Sequence, residues 1–449
     1  MATAARSPSR AGSVFRAVGG NFLEMFDFSV YGFYAAAIAD AIFPSDNAYL
    51  SLMLSLLTFG IGFLMRPLGA IVLGAYIDRH GRRAGLLLSL GLMSVGVLLI
   101  ALTPGYATIG VAAPVLVLVG RLLQGFSAGA ESGGVSVYLA EISTPGRRGF
   151  YVSWQSASQQ VSVAFAAVIG ITLRFTLSPG QMHAWGWRVP FLIGSLIVPF
   201  LFWIRVTLQE TEDFASRTKR RRPTLPEIYG TLLRNWRTVL AAILLVTLTS
   251  VMFYLITAYT PTYAERELGL SPTESFVVTL CVGVSNFVWI PVMGAVSDRI
   301  GRMRVLTVFA ALVAVTAYPL MAWLVAGPSF PRALTVLLLM SFLYGGYQGV
   351  MVVTLTEIMP VTVRAAGFAL AYSLAQAIFG GFTPAVATWL IKTTGDKAIP
   401  GAWLAVSAVV ALLGTLLVRH GRLLVRADDG FRSGADVAGE PAGSPASQG

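Results

Sequence analysis

Cysteine, histidine and charged residues are all scarce in this sequence of 449 residues. A single cysteine, Cys281, excludes an internal disulfide framework and a cysteine-rich metal site. The three histidines lie outside the middle of the apolar runs, so a histidine-based metal site is not expected either. Only 12% of the residues are charged, whereas a soluble domain carries about 25%. The composition therefore points away from an ordinary soluble domain, and it predicts neither a metal nor a cofactor.

The chain is instead rich in long apolar runs. Hydrophobic residues make up 55% of the chain, and the runs of about 20 residues or more are long enough to cross a bilayer core of roughly 30 Å as helices. We predict an all-α integral membrane protein with twelve transmembrane helices. These predicted helices, called spans 1 to 12 in chain order, cover residues 20–43, 49–77, 84–103, 110–140, 150–177, 187–208, 238–263, 273–297, 304–326, 332–359, 364–392 and 399–419.

The positive charge of the chain is unevenly distributed. The net charge is +11, from 32 Lys and Arg against 21 Asp and Glu. Most of the cations precede span 1 or follow an even-numbered span. Positively charged loops stay on the cytoplasmic side of a membrane, so we expect both termini in the cytoplasm. The basic balance then reflects membrane topology and gives no reason to expect a nucleic-acid partner.

Two copies of a charged motif divide the chain into similar halves. Residues 74–82 and 294–302 share the spacing Gly-x-x-x-Asp-Arg-x-Gly-Arg and lie 220 residues apart. A second pair, Glu141 and Glu357, lies 216 residues apart. Internal repeats constrain the architecture, so we predict two six-helix bundles related by an axis along the membrane normal. The charged residues expected to act in gating or structure are Asp78, Arg79, Arg82, Glu141, Asp298, Arg299, Arg302 and Glu357.

Polar stretches set the domain boundaries. The two bundles are predicted to cover residues 20–208 and 238–425, joined by a basic cytoplasmic linker at 209–237. Residues 1–19 form a polar, basic cytoplasmic segment. The tail at 426–449 is rich in Gly, Ala, Ser and Pro, and this composition is typical of disorder.

Span 1 carries two acids inside an apolar run. Glu24 and Asp27 are three residues apart, so they are neighbours on one helical face. Two carboxylates this close in a low dielectric repel each other, so we expect one of them to hold a proton near neutral pH. Arg121 in span 4 is the candidate counter-charge. The group is suited to carrying a proton; the alternative is a static ion pair that joins spans 1 and 4.

Two further charges, Arg66 and Glu131, also lie in apolar runs and are assigned to gating or structure. A central Arg costs about 2.5–3.5 kcal/mol on insertion scales, so Arg66 should face a cavity or a partner. Glu131 could face the cavity or pair with Arg66. On span 4, Gly125, Gly129 and Gly133 recur at every fourth position, and this spacing lets another helix approach closely.

Neutral polar residues complete the candidate site. Gln155 and Gln159 share one face of span 5, where they must line water or a bound molecule, or hydrogen-bond to other helices. Because Arg is suited to bidentate recognition of a carboxylate, we expect Arg121 to hold a small carboxylate while amides and hydroxyls close around it. The predicted binding residues are Arg121, Gln124, Tyr31, Gln155, Gln159, Asn286, Gln348 and Gln376.

With these residues in view, the sequence resembles the major facilitator superfamily. The paired motifs are similar to the signature of that superfamily, and residues 121–125 resemble its proton-coupling motif in span 4. Residues 20–28 resemble the metabolite–proton symporters, and residues 120–129 and 153–160 resemble the bacterial citrate–proton symporters among them. Span 5 lacks the Gly-Pro motif of the antiporters, and its absence favours uptake over export.

The resemblance implies proton-coupled uptake of citrate or a related tricarboxylate across a bacterial inner membrane. It implies coupling roles for Glu24, Asp27 and Arg121, and we expect a monomer in the lipid bilayer. The alternatives are the same kind of carrier for tricarballylate, for a dicarboxylate such as 2-oxoglutarate, or for a zwitterionic osmolyte, and a sensor that binds without transporting. The sequence contains no nucleophile–base set or cofactor loop, so we do not expect an enzyme.

Overall fold

The computed structural model describes residues 21–80, 82–129, 132–207, 225–360 and 363–421, and these ranges contain helices and no strand. The predicted N-terminal segment, most of the linker and the predicted tail lie outside the described residues. A short helix, Leu225–Arg234, occupies the end of the predicted linker.

The first half has six apolar spans, and the first of them bends sharply. Span 1 bends by 68° between Glu24–Phe33 and Ala35–Ile42. Span 4 comprises the helices Ala112–Ala128 and Ser132–Glu141, and residues 130–131 between them lie outside the described residues. The helices of this half are Asn21–Phe33 and Ala35–Ile42, Ala48–His80, Arg82–Leu102, Ala112–Ala128 and Ser132–Glu141, Arg148–Thr176, and Val189–Thr207.

The second half has six spans as well, with π-helical turns in spans 7 and 11. The turns are Tyr254–Ala258 and Gln376–Gly380. The helices are Trp236–Phe253 and Thr260–Arg266 in span 7, Pro272–Ile300 in span 8, Arg302–Ala326 in span 9, Phe330–Ile358 in span 10, Arg364–Ala375 and Thr383–Thr394 in span 11, and Ile399–His420 in span 12.

The apolar helices occupy all twelve predicted positions. In the described part of the chain, eight helices are long and apolar enough to cross a membrane, and the bent pair of span 1 would make a ninth. Spans 3, 4 and 6 supply shorter apolar helices. Outward-facing side chains such as Leu64, Val115, Val288 and Val315 are about half exposed or more, as expected for a surface that faces lipid.

Glycine contacts fix spans 2 and 4 against each other. A Cβ at Gly125 would overlap the carbonyl oxygen of Gly62, and one at Gly129 would overlap the carbonyl oxygen of Arg66. The close approach predicted at these two glycines is therefore confirmed, and the partner is span 2. Backbone contact brings together the two helices that carry Arg66 and Arg121.

The two halves touch at both ends of the bundle. At the end that carries the charged motifs, called the motif end, Gly149 of span 5 lies against Gly294 of span 8. At the opposite end Gly170 packs on Phe276, because a Cβ on Gly170 would lie 2.6 Å from that ring. The space that remains between the halves is a central cavity.

Candidate functional site

The central cavity is small, with about 20 Å³ of room for water-sized molecules, whereas sites that hold a small molecule commonly reach roughly 300–1,000 Å³. The first half contributes Glu24, Met25, Arg66 and Gln159 to its lining. Both charged groups therefore come from one half, from spans 1 and 2.

The second half lines the cavity with aromatic and neutral polar side chains. They are Phe253, Tyr254, Tyr344 and Tyr372, together with Thr249, Gln348 and Gln376. Tyr254 and Gln376 are also the first residues of the two π-helical turns. A π turn changes the direction of the side chains that follow the regular helix, and such turns are frequent at functional sites.

Glu24 pairs with Arg66, whereas Arg121, the counter-charge that the sequence suggested for the two acids, interacts electrostatically with Asp27. Arg66 Nη2 lies 3.2 Å from Glu24 Oε1, and the two residues are only 4% and 8% exposed. The guanidinium also lies 4.5 Å from the ring centroids of Phe28 and Phe63. Arg66, predicted to be structural, is thus a cavity residue, because the glycine contacts of span 2 place it beside span 1.

Arg121 is buried among aromatic rings behind the cavity. It is 0% exposed, and its Nη1 donates to Gln124 Oε1 at 2.7 Å. Its Cζ lies 4.5 Å from the ring of Tyr31, 4.6 Å from Phe28 and 5.0 Å from Phe59. In the described part of the chain, Arg121 makes no ion pair, and its Nε and Nη2 have no hydrogen-bond partner. The three residues predicted to bind substrate here, Arg121, Gln124 and Tyr31, do not line the cavity.

Asp27 has different surroundings from Glu24, although one helical turn carries both. It is 0% exposed, and neither carboxylate oxygen has a hydrogen-bond partner among the described residues. A Cβ on Gly194 of span 6 would lie 2.9 Å from Asp27 Oδ1. Asp27 therefore faces span 6, while Glu24 faces the cavity.

The glutamines of span 5 separate into two roles. Gln159 lines the cavity. Gln155 accepts a hydrogen bond from Ser156 Oγ at 2.9 Å, and that hydroxyl accepts one from Gln348 Nε2 at 2.8 Å. Gln348 thus both lines the cavity and joins the two halves.

Asn286 belongs to the interface between the halves. Its Nδ2 donates to Gln160 Oε1 at 3.1 Å, and its Oδ1 accepts from Ser341 Oγ at 2.7 Å. Asn286 is fully buried and does not line the cavity. The sequence left interhelical hydrogen bonding open as an alternative for polar residues in these helices, and Asn286 has that environment.

The charged motif of the second half joins the two halves at the motif end. Asp298 accepts hydrogen bonds from the backbone N–H groups of Gly149 and Phe150, at 2.8 and 3.0 Å. These groups lie at the N-terminus of span 5, where a carboxylate also interacts favourably with the helix dipole. Arg302 connects Asp298, at 2.7 Å, to Glu357, at 3.2 Å.

Of the remaining predicted gating residues, Glu141 interacts electrostatically with Arg364 of the second half. Arg299 and Glu141 are exposed. Glu131 and the side chains of Asp78, Arg79 and Arg82 lie outside the described residues. Within the described ranges, no group of three His, Cys, Asp or Glu side chains could hold a metal ion.

Several residues of the site carry no strong sequence signal. Met25, Thr249 and Phe253 line the cavity, but apolar and small polar residues are common throughout transmembrane helices. Gln160 is buried in the interface and accepts a hydrogen bond from Asn286, and its adjacency to the predicted glutamine stripe was the available clue.

Comparison with known proteins gives a consistent picture. The Major Facilitator Superfamily model matches residues 17–384. The chain is 55% identical to the citrate-proton symporter of Salmonella typhi, over 96% of this chain and 100% of that protein. It is also 55% identical to the citrate-proton symporter of Klebsiella pneumoniae, over 92% and 93% of the two chains.

More distant proteins extend this picture. The alpha-ketoglutarate permease of Escherichia coli (strain K12) is 34% identical, over 93% of this chain and 96% of that protein. The crystal structure of a D-xylose-proton symporter has the same fold, with a TM-score of 0.72 at 18% identity, over 93% and 98% of the two chains. The predicted twelve-helix fold and the family resemblance are both confirmed: the chain belongs to the major facilitator superfamily.

Proposed function

We propose that this protein is a secondary transporter that takes up citrate, or a closely related tricarboxylate, together with protons. Identity of 55% to two citrate-proton symporters over nearly the whole chain supports this function. The site lies between two bundles that touch at both ends, which suits alternating access by rocking of the halves.

One observation carries the substrate assignment: a single guanidinium, that of Arg66, faces a cavity whose other lining residues, apart from its ion-pair partner Glu24, are neutral. Arg66 Nε has no hydrogen-bond partner among the described residues, and Arg66 Nη2 forms an ion pair with Glu24 without hydrogen-bond geometry. Unpaired buried N–H groups are unfavourable, and a substrate carboxylate would supply the missing acceptors. Gln159, Gln348, Gln376 and the tyrosine hydroxyls of the second half would then bind the other oxygens of the substrate.

We assign the proton-coupling role to Glu24 and Asp27. Both are carboxylates in the membrane interior, where a buried charge is unfavourable and protonation removes it. Arg121 would stabilise this region from behind the rings that separate it from the cavity.

For location, we propose a bacterial inner membrane, with the motif end and both termini in the cytoplasm and the monomer as the transporting unit. The concentration of Lys and Arg in segments at the motif end supports this orientation.

The test is uptake of labelled citrate into proteoliposomes under an imposed pH gradient. We expect accumulation that a protonophore abolishes. Unlabelled citrate, tricarballylate, 2-oxoglutarate and glycine betaine are then added as competitors. We expect unlabelled citrate to compete most strongly. The 34% identical alpha-ketoglutarate permease makes 2-oxoglutarate the main rival. Strong competition by 2-oxoglutarate and weak competition by citrate would reassign the substrate, and gradient-independent uptake would contradict symport.

A further inference from the structure

Two glutamines of the second half carry side-chain carbonyl oxygens without a partner. Gln348 and Gln376 line the central cavity, and they are only 2% and 5% exposed. Oε1 of each side chain is buried and accepts no hydrogen bond from the described residues. An acceptor that is buried and unpaired costs free energy. Each oxygen is therefore suited to a hydrogen-bond donor that a bound molecule brings into the cavity.

The contacts of Gln348 decide which atom of its amide stays unpaired. Ser156 Oγ donates a hydrogen bond to Gln155 Oε1 at 2.9 Å and accepts one from Gln348 Nε2 at 2.8 Å. A hydroxyl group has only one hydrogen to donate, and that of Ser156 is used on Gln155. The amide atom of Gln348 next to Ser156 is therefore the nitrogen, and the oxygen is the atom left without a partner.

A glycine makes room for the oxygen of Gln376. Gln376 is the first residue of a π-helical turn, and Gly380 is the last. A Cβ on Gly380 would lie 2.7 Å from Gln376 Oε1 and 2.9 Å from Cε2 of Tyr254, a cavity residue. The turn therefore holds this oxygen beside the cavity, in a space that a larger residue at position 380 would occupy.

One tyrosine connects the two amides. Tyr372 forms side-chain hydrogen bonds with both Gln376 and Gln348. Since neither glutamine oxygen has a partner among the described residues, the amide nitrogens are the groups that face Tyr372. Two amides that share one hydroxyl lie close together, so the two unpaired oxygens belong to one small part of the cavity lining.

These oxygens distinguish between the groups of a carboxylate substrate. An ionised carboxylate can only accept hydrogen bonds, whereas a hydroxyl can donate one. Carboxylate oxygens placed against the two glutamine oxygens would leave all of these acceptors unpaired. Citrate carries one hydroxyl beside its three carboxyl groups. Tricarballylate is the same molecule with a hydrogen in place of that hydroxyl.

We propose that the unpaired oxygens of Gln348 and Gln376 accept the hydroxyl hydrogen of citrate and make the carrier selective for a hydroxy-tricarboxylate. This inference rests on the proposed function. One hydrogen can be shared between two neighbouring acceptors in a three-centre bond. Arg66 of the first half then binds a carboxylate, and the two glutamines of the second half recognise the hydroxyl.

The experiment compares the affinities of citrate and tricarballylate for the purified full-length transporter, measured by competition binding at one pH. We expect the wild type to bind citrate about ten- to a hundredfold more tightly, because tricarballylate would leave the two buried oxygens unpaired. The quantity of interest is the ratio of the two affinities. Comparison of this ratio between proteins at the same pH cancels the ionisation of the two ligands.

The variants are Gln376→Met and Gln348→Met, since Met is unbranched like Gln and has no carbonyl oxygen. Each should lower the ratio towards one, because citrate loses its acceptor while tricarballylate loses nothing. A general distortion of the site would instead weaken both ligands alike. Gln159→Met is the matched control: Gln159 also lines the cavity but is half-buried, and its substitution should leave the ratio unchanged.

Equal affinities of the wild type for the two ligands would overturn the proposal. A protonated carboxyl group could also donate to the oxygens, but both ligands can supply one, so that result would assign the donor to a carboxyl group. A preference for citrate that neither Gln376→Met nor Gln348→Met lowers would overturn the proposal as well. If one variant does not fold, the other decides by the same ratio. Failure of the wild type to bind either ligand would instead contradict the proposed function.

Discussion

The surroundings of each buried guanidinium in the first half determine what it can bind. Arg66 presents its nitrogens to the cavity and to Glu24. Arg121 is enclosed by Tyr31, Phe28 and Phe59 and donates only to Gln124 among the described residues. We therefore propose that direct contact with a carboxylate substrate belongs to Arg66, while Arg121 would contribute positive charge from behind the rings.

The substitution Arg66→Lys should weaken citrate binding about ten- to a hundredfold. Lys keeps the charge but lacks the planar fork that binds a carboxylate through two N–H groups. Hydrogen bonds to charged groups contribute about 1.5–3 kcal/mol, and about 1.4 kcal/mol is a factor of ten. The measurement is competition binding on purified protein. Arg266→Lys, at an exposed position of the opposite end, should bind like the wild type; unchanged affinity in Arg66→Lys would remove Arg66 from the site.

The substitution Asp27→Asn should abolish accumulation of citrate driven by a pH gradient. The amide resembles the protonated acid in shape and charge but cannot exchange a proton. Citrate should still exchange across the membrane when it is present on both sides, because that exchange needs no net proton movement. Uptake and counterflow in the same proteoliposomes separate the two effects. Gradient-driven accumulation at the wild-type level would rule out a coupling role for Asp27.

At the scale of helices, the N-terminus of span 5 is where the halves meet at the motif end. Asp298 binds two backbone N–H groups there, and Gly149 allows the backbones of spans 5 and 8 to touch. This contact has to break whenever the motif end opens. The strength of this contact therefore influences the relative populations of the conformations with the motif end open and closed.

Gly149→Ala should slow transport and largely spare citrate binding. The added Cβ would overlap the carbonyl oxygen of Gly294, and it would lie 2.6 Å from Arg302 Nη1 and 2.9 Å from Asp298 Oδ1. Closure of the motif end is then less favourable. Initial uptake rates and equilibrium binding are the two measurements. Gly180→Ala, where no atom lies within 4 Å of the new Cβ, is the control; an unaffected rate in Gly149→Ala would argue against the contact as a gate.

For the whole molecule, the proposed orientation in the membrane follows from the concentration of Lys and Arg at the motif end. Trp185 lies at the opposite end and Ile300 at the motif end, and both are exposed. In a Cys281→Ser background, cysteine at position 185 should react with a membrane-impermeant maleimide added to intact cells. Cysteine at position 300 should react only after the cells are opened. The reverse pattern would invert the proposed topology.

The site also needs residues from both halves. The charged groups come from spans 1 and 2, and most of the neutral donors and acceptors come from spans 7, 10 and 11. Gln348 hydrogen-bonds to Ser156 across the boundary, so rocking of the halves changes the lining of the cavity as well as access to it. Neither half alone can bind the substrate as proposed here.

The sequence by itself determined the twelve spans, the twofold repeat and the family, because hydrophobicity and motif spacing are properties of consecutive residues. It also identified Glu24, Gln159, Gln348 and Gln376 as polar groups that need an explanation inside a membrane. Only the tertiary structure decided that Arg66 rather than Arg121 meets Glu24, and that Asp27 faces span 6. Those pairings depend on the depth and rotation of each helix, which backbone contacts at residues such as Gly125 and Gly129 set, and the spacing along one chain does not encode them.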